Sequence, residues 1–342
     1  MANRLLLTVA CLASLACSSQ PSSSTAAGTL EVRIPTGAGG VGFLPLLVMQ
    51  KHQLLEKYAK EAGVQGVAVR WIELGGPSAM NDALLSGSVD FIAAGPPAFL
   101  TLWDATHDSA QVKGVAAMAS LPMYLNVRDA HLNKLEDLRQ GDKIGVTAIK
   151  VSIPAIIMQM YAAEHFGAAE AARFDKFTVP MTHPDGVIAM LSGSGAINAH
   201  FTSPPFHQIE RRQAGIRTIL KTDDVTHGPA TFTMVSTTKR FADANPKIIK
   251  ALIDALGEAS RLIAADKPAA ADLLLGGKGA GEGGITKDDM IAVLNDPDIR
   301  FTQAPESVMK YADFMATLGS IKHHPASWKE LFFEGVHALP GS

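Results

Sequence analysis

The chain has 342 residues, of which 47% are hydrophobic and 18% charged, enough apolar material for a sizeable core and a length that suits about two domains. Its formal charge of −3 gives no electrostatic reason to expect nucleic acid or an anionic membrane as partner. Cys11 and Cys17 are the only cysteines, and both fall in the first segment, so the chain beyond it has no disulfide, no thiol nucleophile and no CxxC site.

That first segment reads as an export leader over residues 1–16. MANR supplies one positive charge, and LLLTVACLASLA (5–16) is too short for a membrane span but right for a signal core. Cys17 and SSQPSSSTAAG follow as a flexible tether over 17–28. Two processing outcomes stay open. Either Cys17 carries a lipid, with Ser14-Leu15-Ala16 standing where a lipobox would, or an ordinary signal peptidase cuts after a small residue such as Ala16 or Ala27. Both place the protein outside the cytoplasm, in the periplasm, free or lipid-anchored.

From Thr29 strands alternate with helices. LEVRIP (30–35), GVAVRWIEL (66–74) and VDFIAAG (89–95) read as strands, while 43–63 and 77–87 read as helices. The order βαβαβ predicts a parallel sheet. The second half repeats the scheme, with strands at 142–148, 174–181 and 196–201 and helices at 153–167 and 183–193. One echo ties the halves together. LSGS stands at 85–88 and again at 191–194, each copy closing a helix before a strand that ends at a proline pair, Pro96-Pro97 or Pro204-Pro205. The echo predicts two α/β lobes of similar topology. Apolar stretches at 116–127 and 229–237 supply two crossings, so lobe two (121–233) is inserted into lobe one (29–120 and 234–342), with the crossings as hinge segments. The remainder, from 246 onward, reads as helices packed around lobe one.

In an open sheet of this kind ligands bind beyond the carboxyl ends of the strands. The corners there hold Thr36, Phe43, Ser78, Ser152, Thr182, His200, Phe201 and Ser203. Several open a helix, whose N–H groups and dipole suit an anion with no arginine nearby. Ser78, Ser152 and Thr182 read equally well as plain N-caps, and the two roles are compatible. Gly37, Gly39 and Gly42 spell GxGxxG, with Glu73 ending the next strand, but Pro35 and Thr36 loosen the turn and the second half has no counterpart, so the dinucleotide reading is set aside. No HExxH or i,i+4 histidine spacing, GxSxG elbow, Walker loop or paired-carboxylate arrangement is visible, and no catalytic residue, cofactor or metal is expected.

The segments ALLSGSVDFIAAGPPAFL (83–100), AMLSGSGAINAHFTSPPFHQIE (189–210), FADANPKIIKALIDALGEA (241–259) and 305–333 resemble the solute-binding proteins of ABC importers, in the nitrate/sulfonate/taurine group. The resemblance covers essentially the whole chain after the leader. It implies a two-lobed type II periplasmic binding protein fold, an α/β architecture with the ligand cleft between lobes. It also implies a monomeric receptor that catalyses nothing and docks on a membrane permease backed by an ATPase. Carried over residue by residue, the loop before the second helix is Gly75, Gly76, Pro77 and Ser78, and the turn after the third strand is Gly95 and Pro96. Lys150-Val151-Ser152 departs from the glycine- and hydroxyl-rich helix start of relatives, and His200-Phe201-Thr202 suggests a larger or more apolar ligand. The expected cargo is a small organic anion, sulfonate- or taurine-like or an aromatic acid. A neutral pyrimidine or vitamin precursor, or an exported enzyme or sensor on the same fold, is the alternative.

Overall fold

The structure, a computed structural model, describes residues 29–37, 39–74, 76–278 and 281–342. The leader, the tether, Cys11, Cys17 and Gly75 lie outside the described residues. Among those described, no helix is long and apolar enough to cross a membrane.

The first half runs β1 (Leu30–Pro35), α1 (Leu44–His52), α2 (Leu54–Glu61), β2 (Val67–Ile72), α3 (Pro77–Leu85), β3 (Ile92–Ala94), α4 (Pro96–Ala105) and β4 (Lys113–Ser120). The second continues with β5 (Tyr124–Val127), β6 (Ile144–Val146), α5 (Ile153–Phe166), β7 (Thr178–Pro180), α6 (His183–Ser192), β8 (Ala199–Thr202), α7 (Phe206–Arg211), β9 (Arg217–Lys221) and α8 (Thr222–Thr226). The chain then returns through β10 (Thr231–Thr237) to α9 (Lys239–Ala244), α10 (Pro246–Ala265), α11 (Lys267–Leu274), α12 (Lys287–Leu294), α13 (Val308–Thr317) and α14 (Trp328–Leu331).

The helix expected over 43–63 is two helices preceded by a 3-10 turn at Val41–Phe43. Gln53 interrupts it: its φ of 50° is left-handed, which no continuous helix tolerates. The break lets both pieces bury apolar residues, Leu46 and Met49 from α1 and Leu54 and Leu55 from α2, beneath α10. α10 itself places Ile248, Leu252, Ala255, Ala259 and Ile263 on one buried stripe.

The strands form two groups. β1 and β2 pair in parallel, Leu30 opposite Val67. The expected wholly parallel sheet does not extend to β3, which pairs antiparallel with β10, as does β4 on the other side. Amide bonds from Asp90 and Phe91 to the Arg33 carbonyl tie β1 to the approach of β3. The returning strand β10 is thus the centre of the first half, buried along its whole length. The second group has the order β7-β6-β8-β5-β9, parallel from β7 through β8 and antiparallel at β5 and β9. The predicted crossings fall on β4, the 121–123 link and β5, and on β10 with the two residues before it.

The LSGS echo has a shared physical form. After α3, Gly87 turns with φ 73° and its carbonyl accepts from Arg33 Nη1 at 2.6 Å, while the same guanidinium pairs with Asp90 at 2.7 Å. After α6, Gly193 turns with φ 62°, and Arg128 donates to the Met190 and Leu191 carbonyls. In both halves an arginine, Arg33 within β1 and Arg128 just after β5, satisfies carbonyls at a helix end.

Candidate functional site

Between the two strand groups lies a cavity lined by Phe43, Pro77, Met80, Gly95 and Phe232 from the first half, and by Thr147, Val151, Ser152, Ile153 and His183 from the second. The space in which a water-sized sphere can be centred is about 50 Å³, within about 490 Å³ of atom-free volume counting the mouth. The halves touch around it. The Val41 amide donates to the Pro204 carbonyl at 3.2 Å, and Arg212 reaches the Gly284 carbonyl at 3.0 Å and pairs with Asp289. A Cβ built on Gly95 would lie 2.8 Å from Ile153 Cδ1, so a glycine is what lets the halves meet there.

Helix N-termini surround this space. α3, α4, α5 and α6 each start at residues that line the cavity or adjoin its lining, and each carries a proline in its first two positions. Their dipoles point positive ends inward, although the prolines remove some of the N–H donors. The walls are otherwise apolar: Phe43, Met80, Met123, Ile153 and Phe232, with Thr147, Ser152, His183 and Thr233 as the polar side chains. Among the described residues the lining includes no Lys, Arg, Asp or Glu.

Two of the three GxGxxG glycines serve these walls. A Cβ on Gly37 would fall 2.0 Å from the Phe43 ring, and one on Gly42 would fall 2.2 Å from the Phe232 ring. The two rings meet edge to face at 6.3 Å. Glycine here seats aromatic side chains.

Of the candidate contacts read from sequence, Phe43, Gly95 and Ser152 line the cavity, as does Pro77 of the carried-over loop. Ser152 caps α5, accepting from the Ala155 amide at 3.4 Å and donating to the Ala148 carbonyl at 2.6 Å. Gly76 and Pro96 each adjoin lining residues, and Gly76 faces the Thr147 carbonyl across the cleft. Thr36 follows β1 directly, its amide bonded to the Ile72 carbonyl at 3.0 Å. Ser78 is exposed, and Thr182 is an exposed N-cap whose hydroxyl is bonded to Asp185. Phe201 and Ser203 are buried away from the lining.

His200 likewise stands behind the cavity. It is 1% exposed, and its Nδ1 lies 2.5 Å from Oε1 of the fully buried Glu210. Glu210 Oε2 accepts from Asn126 Nδ2 at 2.8 Å, and Asn126 Oδ1 takes His207 at 3.1 Å and Thr218 at 2.8 Å. This polar network packs the second sheet against α7. The histidine that lines the cavity is His183, its ring stacked 5.3 Å from Phe206 and its Nδ1 3.0 Å from Thr202 Oγ1. Burial, helped by nearby His200, pushes its pKa down to about 3, so the ring is neutral at physiological pH. His183 directly follows Thr182, a corner residue that the strand-end rule selected, but was not itself singled out, and Met123 and Phe232 come from the crossing segments, where no signal marked individual side chains.

The fold also gathers two groups that linear spacing did not reveal, His107, Asp108 and His323, and Asp129, His131 and Asp142. In the first, the two imidazoles stack in parallel at 3.9 Å, so their in-plane lone pairs do not converge on one ion. In the second, Asp142 already accepts from His131, Asn198 and the Arg139 amide.

The architecture matches solved structures across nearly the full chain. The alkanesulfonate-binding protein SsuA of Xanthomonas axonopodis pv. citri, bound to MOPS, superposes with a TM-score of 0.65 at 17% identity, covering 87% of this chain and 96% of that one. A protein of Bordetella bronchiseptica gives 0.70 at 18% identity, covering 90% and 96%. The periplasmic nitrate-binding protein NrtA of Synechocystis gives 0.65 at 15%, covering 91% and 89%. The fold is that of the periplasmic binding proteins. No curated protein sequence matches the chain. The family model described as NMT1-like matches residues 39–275, more than half of the sequence, and the chain belongs to the NMT1-like family.

Proposed function

We propose that the protein is the extracytoplasmic solute-binding component of an ABC importer, capturing a small organic anion with an apolar body and delivering it unchanged to a membrane permease and its ATPase. One observation carries this reading: helix N-termini converge on an apolar, aromatic-walled cavity between two α/β halves, on a fold shared with sulfonate- and nitrate-binding proteins. The dipoles favour the charged end, and Phe43, Met80 and Phe232 favour the apolar body. Phe43, Gly95 and Ser152 are proposed as direct contacts. The remaining corner residues, Thr36, Gly76, Ser78, Pro96, Thr182, His200, Phe201 and Ser203, are assigned to shaping the cleft. Lobe two, expected over 121–233, is proposed to end before β10, whose residues from Thr231 pair with β3 and β4, and to move on segments 116–127 and 229–237, with ligand contacts to both halves favouring closure.

A thermal-shift panel tests the reading, with taurine, alkanesulfonates, nitrate, aromatic carboxylates and pyrimidines. Ligand at 100 times its dissociation constant adds about 2.7 kcal/mol to stability. Stabilisation by one anion class without its consumption is the expected result. Turnover of a stabilising compound, or stabilisation by pyrimidines alone, would replace this reading with an enzyme or a receptor for neutral ligands.

A further inference from the structure

Resting on the receptor reading, we infer that His183 is the specificity-determining residue of the cavity, a neutral imidazole that presents its Nε2–H as a hydrogen-bond donor to an acceptor oxygen of the ligand.

The argument begins with Thr202. Its hydroxyl is fully buried, and among the described residues its one side-chain hydrogen bond is to His183 Nδ1 at 3.0 Å. A buried hydroxyl that fails to donate is costly. The Thr202 proton therefore goes to Nδ1, which accepts it as a lone-pair nitrogen. A neutral imidazole with Nδ1 as acceptor carries its proton on Nε2. Nδ1 is spent on β8, and Nε2 makes no hydrogen bond among the described residues. It is the ring nitrogen left for the cavity that His183 lines.

Packing holds the ring in this pose. Phe206 stacks on one side at 5.3 Å, and His200 lies 5.6 Å away. The titratable groups around it are His200 on β8, Glu210 on α7 behind His200, Asp185 on its own helix and exposed Lys150 on the loop preceding α5. Glu210 is engaged by His200 and Asn126, and Asp185 by Thr182, so neither carboxylate is turned to His183 to stabilise an imidazolium. The remaining polar side chains of the wall, Thr147, Ser152 and Thr233, are hydroxyls, and Ser152 and Thr233 already donate to carbonyls, of Ala148 and Gly42. A donor whose direction is fixed by the Thr202 hydroxyl behind it is what distinguishes an acceptor group on a ligand from an apolar one.

Two measurements test this. Side-chain nitrogen spectra of ¹⁵N-histidine-labelled protein, with His183 assigned by its absence in His183→Gln, report the tautomer without any ligand. The expected result is a neutral Nε2–H form that persists at pH 5, and Thr202→Val should scramble the tautomer. An Nδ1–H form, or protonation near pH 6.5, overturns the assignment. Calorimetric titration with butanesulfonate and with benzoate tests the ligand contact. His183→Phe should weaken binding at least tenfold, and His183→Gln, whose amide nitrogen can replace Nε2, should recover most of it. Equal binding by the wild type and His183→Phe overturns the proposal. Failure of the wild type to bind either probe, with the expected tautomer in place, overturns the anion-receptor reading and with it the ligand role, while leaving the ring assignment standing.

Discussion

Replacing Glu210 by leucine should destabilise the protein by about 2–6 kcal/mol, because it strands two buried donors. His200 Nδ1 loses its partner at 2.5 Å, and Asn126 Nδ2 loses its partner at 2.8 Å. Each unsatisfied buried group costs about 1–3 kcal/mol. Neither donor has room to search for another acceptor. A Cβ on Gly186 would lie 2.3 Å from His200 Cε1 and Nε2, so the ring is pressed against the α6 backbone, and Asn126 Oδ1 is held by His207 and Thr218. Glutamine should cost within about 1 kcal/mol, because its carbonyl oxygen accepts from Asn126 while its amide donates to His200 Nδ1 once the imidazole has moved its proton to Nε2. Urea unfolding at pH 7.5 resolves the difference. With a slope of about 3 kcal/mol per molar, the leucine variant should lose about 0.7–2 M in midpoint and the glutamine variant at most about 0.3 M. A leucine variant as stable as the parent would show that this network contributes nothing. A glutamine variant as unstable as the leucine one would show that charge, and not the count of satisfied donors, sustains it.

Other perturbations follow from the same geometry. Gly42→Ala should force the Phe232 ring toward the cavity and cost about 1–3 kcal/mol of stability, read by thermal unfolding; an unchanged melting temperature would contradict the seating role of that glycine. Ser152→Ala should cost about 0.5–2 kcal/mol through loss of the α5 cap, whereas exposed Ser78→Ala should stay within about 0.5 kcal/mol. Burial lowers the folded-state pKa of His183 to about 3 and of His207 to about 4, so the unfolded chain takes up protons first as pH falls below about 6.5. Their contribution is present in full above that pH and declines from there toward their folded values. Urea midpoints between pH 7.5 and 4.5 should therefore fall, and His183→Gln should flatten the decline; equal slopes would place the titration elsewhere. Burial pushes the Asp104 carboxyl up, but bonds from His323 and the Lys322 amide outweigh it and hold its pKa below the usual carboxylate range. Its contribution is present in full above the ordinary carboxylate value of about 3.8 and is lost as pH falls through the lowered folded value, so Asp104→Asn should cost stability at pH 7 and progressively less as the pH is taken below 3.8.

Much of the architecture is legible one residue after another. Helix and strand periodicity, the glycines that end helices and the repeated LSGS with its proline pair are local signals, and local signals survive without knowledge of the fold. They mark β1, α3, α5 and α6 nearly to the residue, and they indicate the corners at the strand ends, from which Phe43, Gly95 and Ser152 reach the cavity. The break at Gln53 was not legible, because nothing in its side chain asks for a left-handed backbone; burial on both sides of it does.

Which face a strand turns to the cleft was decided only in three dimensions. His200 and Thr202 are two apart on β8 and so share a face, and that face meets Glu210 and His183, not the cavity. Met123 and Phe232 are 109 residues apart in sequence, yet the crossings bring both to one wall. The pairing of β10 between β3 and β4 sets that wall, and it is a long-range register that no local pattern encodes. Residue types and their spacing determine which segments are helix, strand or turn. The packing of distant segments determines which histidine lines the cavity and which one is spent holding the sheet.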